Sequence, residues 1–285
     1  MDATIITSVI TAGATTLITK GAEAPAHTFN LIWKQVFGTI DNWLEKQEIK
    51  RRTEIEDFSR KINRELEDIP AENIQEPKMS ILGPAMEAAQ YYLEENELRK
   101  MFAKLVASSF DNRNNEIIHN GFVEKLKSLS SHDARLLKFI KENLNEIAVG
   151  EYYMTYLDGD LTLSDVICLA FGEENIKKNS ISLDNLAHLG LIQVDLTRKY
   201  TMDEKYGEFY TTNLYFYLSK YNQINELKNS IQKQLQIMSK EELALSIGYS
   251  SDFIEDCLKE RSVILRKGTC KLTSLGKTFV NICCE

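Results

Sequence analysis

The chain has 285 residues, of which 43% are hydrophobic, 27% charged and 9% aromatic. That length allows two domains with a core each, and that composition can offset the entropy of ordering, so wholesale disorder is excluded. The net charge of −8 divides evenly between residues 1–130 and 131–285, which argues against a general nucleic-acid binder, because such a surface needs clustered Lys and Arg.

Residues 1–24 are small and β-branched, and Ala3–Thr19 carries no charge. The stretch is rich in Thr and poor in Leu and Phe. It reads as a soluble or interfacial helix rather than a membrane span of roughly 20 apolar residues. No basic region precedes it, so it does not read as a secretory signal. Pro25 separates it from Leu31, Ile32, Val36, Phe37, Ile40 and Leu44, which fall at helical spacing with Trp33 and Trp43 beside them. Residues 46–68 continue in a charged register, with Ile55, Phe58, Ile62, Leu66 and Ile69 at steps of three and four. Mixed signs on the other faces read as a solvated helix laced with i,i+4 pairs.

Pro70 and Pro77 bound a short linker, and Pro84 predicts the first turn of a new helix. Leu98, Met101, Phe102, Leu105 and Val106 form an apolar stripe over a helix at 96–110. Asp111–Asn115 reads as a polar loop. A short helix holds Phe122, Val123, Leu126 and Leu129. Ser130 followed by Asp133 predicts a capping box for Ala134–Leu144.

The texture then changes. Leu183–Leu189 reads as a short helix stopped by Gly190, and Leu191–Val194 as a strand. A helix passing through Leu-Gly-Leu-Ile into a strand is how a winged helix enters its wing. Phe209–Leu218, being aromatic and β-rich, reads as a strand. Ile224, Leu227, Ile231 and Leu235 mark a helix. Ser239 with Glu242 predicts a second capping box. Gly248 marks the turn, and Ile254 and Cys257 are core positions of the next helix. Val263–Arg266, a turn at Lys267-Gly268, and Thr269–Leu272 predict a hairpin before a closing helix at Thr273–Cys283.

The stretch from Ile69 to Asp111 carries a set of unlike motifs in order. These are Pro70, Pro77, Gly83-Pro84, Glu97-Leu98-Arg99, Met101-Phe102-Ala103, Leu105, Ser108-Ser109 and Asp111. They continue through His119, Phe122-Val123 and residues 126–138, and the tail holds LAHLGLIQV and KLTSLGKTFVNIC. This pattern resembles the Abi-alpha family of bacterial abortive-infection proteins over residues 25–200 and 263–284. Asn120 departs from it, where Pro is expected. The resemblance implies a prophage or bacterial-defence setting and a protein that limits phage spread. It implies no catalytic residues.

Chemistry-bearing residues are sparse. Cys168, Cys257, Cys270, Cys283 and Cys284 form no C-x-x-C pair and read as reduced thiols of a cytoplasmic protein. His27, His119, His132 and His188 are scattered, so no metal is expected. Ser108, Ser109, Asp111 and His119 lie near one another in sequence. No strand-to-helix elbow surrounds either Ser, so they read as a helix end bonding to local backbone. Glu94, Glu95 and Glu97 read as an acidic helix start, not as ligands with His119. Gly276-Lys277-Thr278 echoes the end of a phosphate loop, but Lys271 stands where its upstream Gly belongs.

The expectation is therefore an α+β fold, predominantly α. A helical domain spans 1–130, and a winged-helix-like domain spans 131–285 with a helical insertion at about 201–262. The protein is expected to defend against phage through protein–protein interaction, with no cofactor and no enzymatic step. Trp33, Phe37, Trp43, Arg266, Lys267 and Lys271 are the candidate interaction residues. The partner is an unidentified phage or host protein, and a homo-oligomer stays open. Two rivals remain. One is a winged-helix transcriptional regulator, against which the acidic helix at 251–260 speaks. The other is a membrane-perturbing effector that uses residues 1–24.

Overall fold

The computed structural model describes residues 13–37, 48–157, 159–220 and 223–284, without the side chains of 48–51 and 223–225. The chain is mainly helical, with one small sheet. Its contacts divide it into two compact units. One holds residues 1–145, 185–192 and 272–285; the other holds 146–184 and 193–271. The closing helix belongs to the first unit.

The first unit starts with α1 (13–19), α2 (Glu23–Phe37) and α3 (Glu48–Glu67). The chain turns at Gly21, whose φ is +78°, so the break precedes Pro25, which sits in the first turn of α2. Leu17 is buried, Thr16 Oγ1 donates to Asn63 Oδ1 at 2.8 Å, and Lys20 Nζ donates to Leu66 O at 3.0 Å. Thus 13–20 of the apolar N-terminal stretch is fastened to α3.

Next come α4 (Met79–Ala89), α5 (Asn96–Ser108), α6 (Gly121–Lys127) and α7 (Ser131–Glu142). Leu98, Met101, Phe102 and Leu105 of α5 are all buried, as their spacing predicts. Arg99, on the neighbouring face, donates from Nε to Asp57 of α3 at 2.8 Å. Ser130 and Asp133 form the full capping box of α7. Pro84 is a correction: it lies inside α4, not in its first turn. The helix is already nucleated upstream, where the Ile81 and Leu82 amides donate to Lys78 O. Pro84 then removes one interior hydrogen bond. The closing helix, α13 (Ser274–Cys283), begins with Thr273 capping Gly276 N, and its Phe279 meets Phe122 edge-on at 5.3 Å.

The second unit is built on β1 (Glu146–Tyr156), β2 (Gly159–Thr162), β3 (Ile192–Asp195) and β4 (Ile264–Leu272), ordered β2-β1-β4-β3. β1 is antiparallel to β2, with Tyr153 opposite Thr162, and to β4, with Glu146 opposite Lys271. Leu144 and Asn145 both take positive φ and turn the chain sharply into β1. Ile147, Val149, Tyr152 and Met154 of β1 are buried.

Two expectations fail here. Phe209–Leu218 is not a strand: residues Asp203–Thr211 form a 3-10 helix and Asn213–Lys220 form α9. The spacing of Tyr206, Phe209, Thr212, Tyr215 and Leu218 explains it, since steps of three bring one face of a helix to the core. Tyr206 and Phe209 are buried, Tyr215 and Leu218 pack against them, and Tyr206 Oη donates to Gly268 O at 2.9 Å. The hairpin is not formed either, because β4 runs straight through Lys267-Gly268. Gly268 serves close approach, not a turn. A Cβ there would lie 2.8 Å from Asp195 O and 2.7 Å from a Leu196 methyl.

Between β2 and β3 lies α8 (Ile176–His188), which starts earlier than its apolar pattern predicts. Between β3 and β4 lie the 3-10 helix, α9, α10 (Gln223–Gln234), α11 (Lys240–Ile247) and α12 (Ser251–Cys257). The Ser239–Glu242 capping box is formed, and Gly248 closes α11 at φ +75°. Ile231, Leu243, Ala244, Ile254 and Cys257 make a small core of their own.

Candidate interaction surface

The sequence singles out two groups for interaction, and the structure places both in structural roles where it describes them. Trp33 and Phe37 are buried, with Trp33 stacked on Phe58 at 6.2 Å and Phe37 against Trp33 at 4.6 Å. They are core residues of the first unit; Trp43 lies outside the described residues. Arg266 donates to Glu151 at 2.6 Å and to Asp160 at 2.7 Å, and its guanidinium covers the Tyr153 ring. Lys267 bonds Asp203 at 2.9 Å, which raises the Lys267 pKa and lowers that of Asp203. Lys271 adds to the lowering of the Asp195 carboxyl, which the Thr197 hydroxyl chiefly causes. Phosphates would have to compete with these carboxylates for the same cations.

Ser109, Asp111 and His119 are bonded locally, whereas Ser108, expected to bond local backbone, reaches across to α13. Ser109 Oγ donates to Val106 O and Ser108 Oγ to Ile282 O. Asp111 accepts from the backbone and the guanidinium of Arg113. His119 Nδ1 accepts from Gly121 N. The spacing Glu116-x-x-His119 occurs in the chain, but it falls in the turn before α6, not on a helix. Among the described residues, no group of three His, Cys, Asp or Glu could hold a metal. All five cysteines are free and buried. Burial pushes the Cys168 and Cys284 thiols up to about 11.

A different surface emerges on α11 and α12. α11 buries Leu243 and Ala244, yet Leu245 is 82% exposed and Ile247 45%. Ile237 before the cap is 78% exposed, and Tyr249 after the Gly248 turn is 52% exposed. Tyr249 stacks on Phe253 at 4.3 Å, which holds its ring in place. Ile237, Leu245 and Tyr249 fall in a run of four-residue steps, 237, 241, 245 and 249, whose remaining member is the exposed Glu241.

The same segment is rich in carboxylates. Residues 237–260 hold six acidic side chains and two lysines. Both lysines are tied down, Lys240 to Glu255 at 2.9 Å and Lys259 to Asp256 at 3.2 Å. Asp256 is buried. Burial works against its charge, but the Leu157 amide, Lys259 and Arg261 together hold its carboxyl below the usual range. Glu241, Asp252 and Glu260 are exposed and make no hydrogen bond or ion pair among the described residues. Lys240 also interacts with the charges of Glu241 and Asp252.

Sequence reasoning missed these residues for a definite reason. Leu245 and Ile247 look like core residues in a short apolar helix, and only the placement of Leu243, Ala244, Ile254 and Cys257 shows which face is filled. The signal was a surplus: α11 carries more large apolar residues than one narrow stripe can bury.

Among the described residues, no helix is long and apolar enough to cross a membrane. Neither a curated protein nor a solved structure matches the chain. A family model described as abortive infection alpha matches residues 50–283, spanning the α3–α7 helices, the sheet and α13. The chain is therefore a member of the abortive infection alpha family.

Proposed function

We propose that this protein is an abortive-infection factor of the cytoplasm that acts by binding another protein, not by covalent chemistry. The exposed Leu245 and Ile247 side chains of α11 support the reading. Large apolar side chains left in water beside a filled core mark interaction sites on soluble proteins. Family membership supplies the defence setting.

Residues 131–285 are read as winged-helix-like. α8 is stopped by Gly190 at φ +69°, β3 follows, and β4 lies beside it across a helical insertion at 196–263. Use of this module for docking is favoured over DNA readout by three observations. Asn185 of α8 donates to Ser128 O and Asp133 Oδ2 instead of facing a groove. Arg266 and Lys267 are committed to Glu151, Asp160 and Asp203. α12 presents Asp252 and Glu255, which repel phosphates.

The test is a phage challenge of bacteria with and without the chain, scoring plaque number and host survival at high phage input. Fewer plaques together with loss of the infected cells supports the reading. Unchanged plaque number and survival across a broad phage panel overturns it.

A further inference from the structure

We propose that Asn120 is a self-modification site: the backbone nitrogen of Gly121 attacks the Asn120 carboxamide while His119 takes its proton, and the residue becomes an aspartate with loss of ammonia. The change is one of the chain itself and stands apart from the binding role argued above.

Three local features carry the inference. The first is the dipeptide. Asn120-Gly121 is the one Asn-Gly step in the sequence. Closing an imide ring requires the next backbone nitrogen to swing onto the side-chain carbon, and a following residue without a Cβ hinders that swing least. The second is a base on the nucleophile. Gly121 N donates to His119 Nδ1 at 3.0 Å. An imidazole nitrogen that accepts this bond is in the neutral form a general base needs, with the ring's proton on Nε2. The third is a donor on the electrophile. Ser80 Oγ donates to Asn120 Oδ1 at 3.2 Å. A hydroxyl there polarises the carbonyl and stabilises the negative charge that gathers on its oxygen during attack. Base, electrophile and nucleophile are thus consecutive in the chain, and α4 supplies the hydroxyl.

The surroundings permit the reaction. Ser80, His119 and Asn120 are exposed, so water reaches them. Asn120 stands at φ −55° and ψ −34°, directly before α6, and its side chain caps no helix amide. Attack needs a turn about ψ of Asn120. A helix end opens at little cost, unlike a helix interior. The Gly121 amide is held by the His119 side chain, not by a helix bond.

The step balances. A bond forms from Gly121 N to the Asn120 carboxamide carbon as the N–H proton passes to His119. The imidazolium returns that proton to the carboxamide nitrogen, whose bond to carbon breaks, and ammonia leaves. Water then opens the cyclic imide. Opening at one carbonyl gives an aspartyl residue; opening at the other gives an isoaspartyl link with a longer backbone. Water is consumed, ammonia is released, and His119 is restored. The product carries a new negative charge at the start of α6, whose Phe122 packs edge-on against Phe279.

The experiment ages the full-length chain in warm neutral buffer made with heavy-oxygen water. Peptide mapping by mass spectrometry follows every Asn, and a urea-denatured sample serves as the clock for the dipeptide without its folded surroundings. Asn120 is expected to convert before any other Asn of the native chain. Its new carboxylate should carry heavy oxygen, in both aspartyl and isoaspartyl peptides. His119→Gln is expected to slow conversion by ~10-fold or more, at or below the ~10²–10⁴-fold that a positioned general base contributes. Ser80→Ala should slow it less. Both residues are exposed, so both variants should melt with wild type. Conversion in His119→Gln as fast as or faster than in wild type overturns the proposal, because the His119 bond then shields the nitrogen instead of activating it. So does a native chain whose Asn120 is intact after the denatured sample has converted.

Discussion

Gly276 of α13 lies directly under Leu191: a Cβ at that position would come 1.9 Å from the Leu191 carbonyl oxygen. The same carbonyl accepts from Thr273 N at 3.0 Å, and Thr273 Oγ1 donates to Gly190 O at 2.7 Å. A glycine in a sequence that echoes a phosphate loop is thus a packing residue. The obstacle is backbone and cannot rotate away. We expect Gly276→Ala to destabilise the protein by about 1–3 kcal/mol or more, the range for overpacking. Urea unfolding measures it, and an unchanged midpoint would show that α13 does not press on the Leu191 segment.

Leu105 sits at the centre of the stripe on α5 and is fully buried. Truncation to Ala removes three buried carbons and leaves a cavity. Leu105→Ala should cost about 2–5 kcal/mol in the same measurement. A loss below about 0.5 kcal/mol, the scale of a surface change, would place this face in solvent.

The Asp57–Arg99 pair gives a pH dependence of known sign. Burial raises the Asp57 pKa, but bonds and charge from Lys61 and Arg99 outweigh it, so the carboxyl ends below its ordinary value of 3.8. A lowered carboxylate pKa contributes stability above the unfolded-state value and loses it as pH falls through the folded-state value. Asp57→Asn should therefore melt lower than wild type at neutral pH. The gap should close as the solution is acidified below about pH 4, the unfolded carboxylate range. A gap that persists undiminished into strong acid would contradict the pairing.

Cysteine chemistry offers a further check. Thiolate is the reactive form, and burial holds Cys168 and Cys284 near 11 and pushes Cys270 and Cys283 up as well. At mildly alkaline pH, a thiol reagent should react slowly with the native chain and rapidly with all five cysteines in denaturant. Rapid reaction of the native chain would show that these residues are accessible.

Much of the first unit was legible because its signals are local. A stripe at helical spacing found α5, and Ser-x-x-Asp found the start of α7, whose capping box forms as read; the same kind of local signal, Ser-x-x-Glu, found α11 in the second unit. The second unit was less legible. β1 is one of the two central strands, yet its opening Glu-Ile-Ala-Val-Gly-Glu carries no turn signal, and the turn before it is made by Leu144 and Asn145, which take positive φ without a glycine. Tyr206, Phe209 and Tyr215 favour strands by residue type but follow a three-residue step, so tertiary packing on β1 decides. Gly268 was read as a turn because sequence cannot distinguish a glycine that bends the chain from one that admits a neighbour. Trp33 and Phe37 were singled out by size, and their size is spent on the core. The α11 patch could be recognised only by subtraction, after the core contacts were assigned.

The central claim is that defence runs through the exposed face of α11. The most direct test is phage protection by the Leu245→Ser, Tyr249→Ser double variant, expressed at the wild-type level. Both residues are more than half exposed, so thermal melting should stay close to wild type. This variant is expected to fold normally and to lose most of the protection. A normally folded double variant that protects as well as wild type would contradict it.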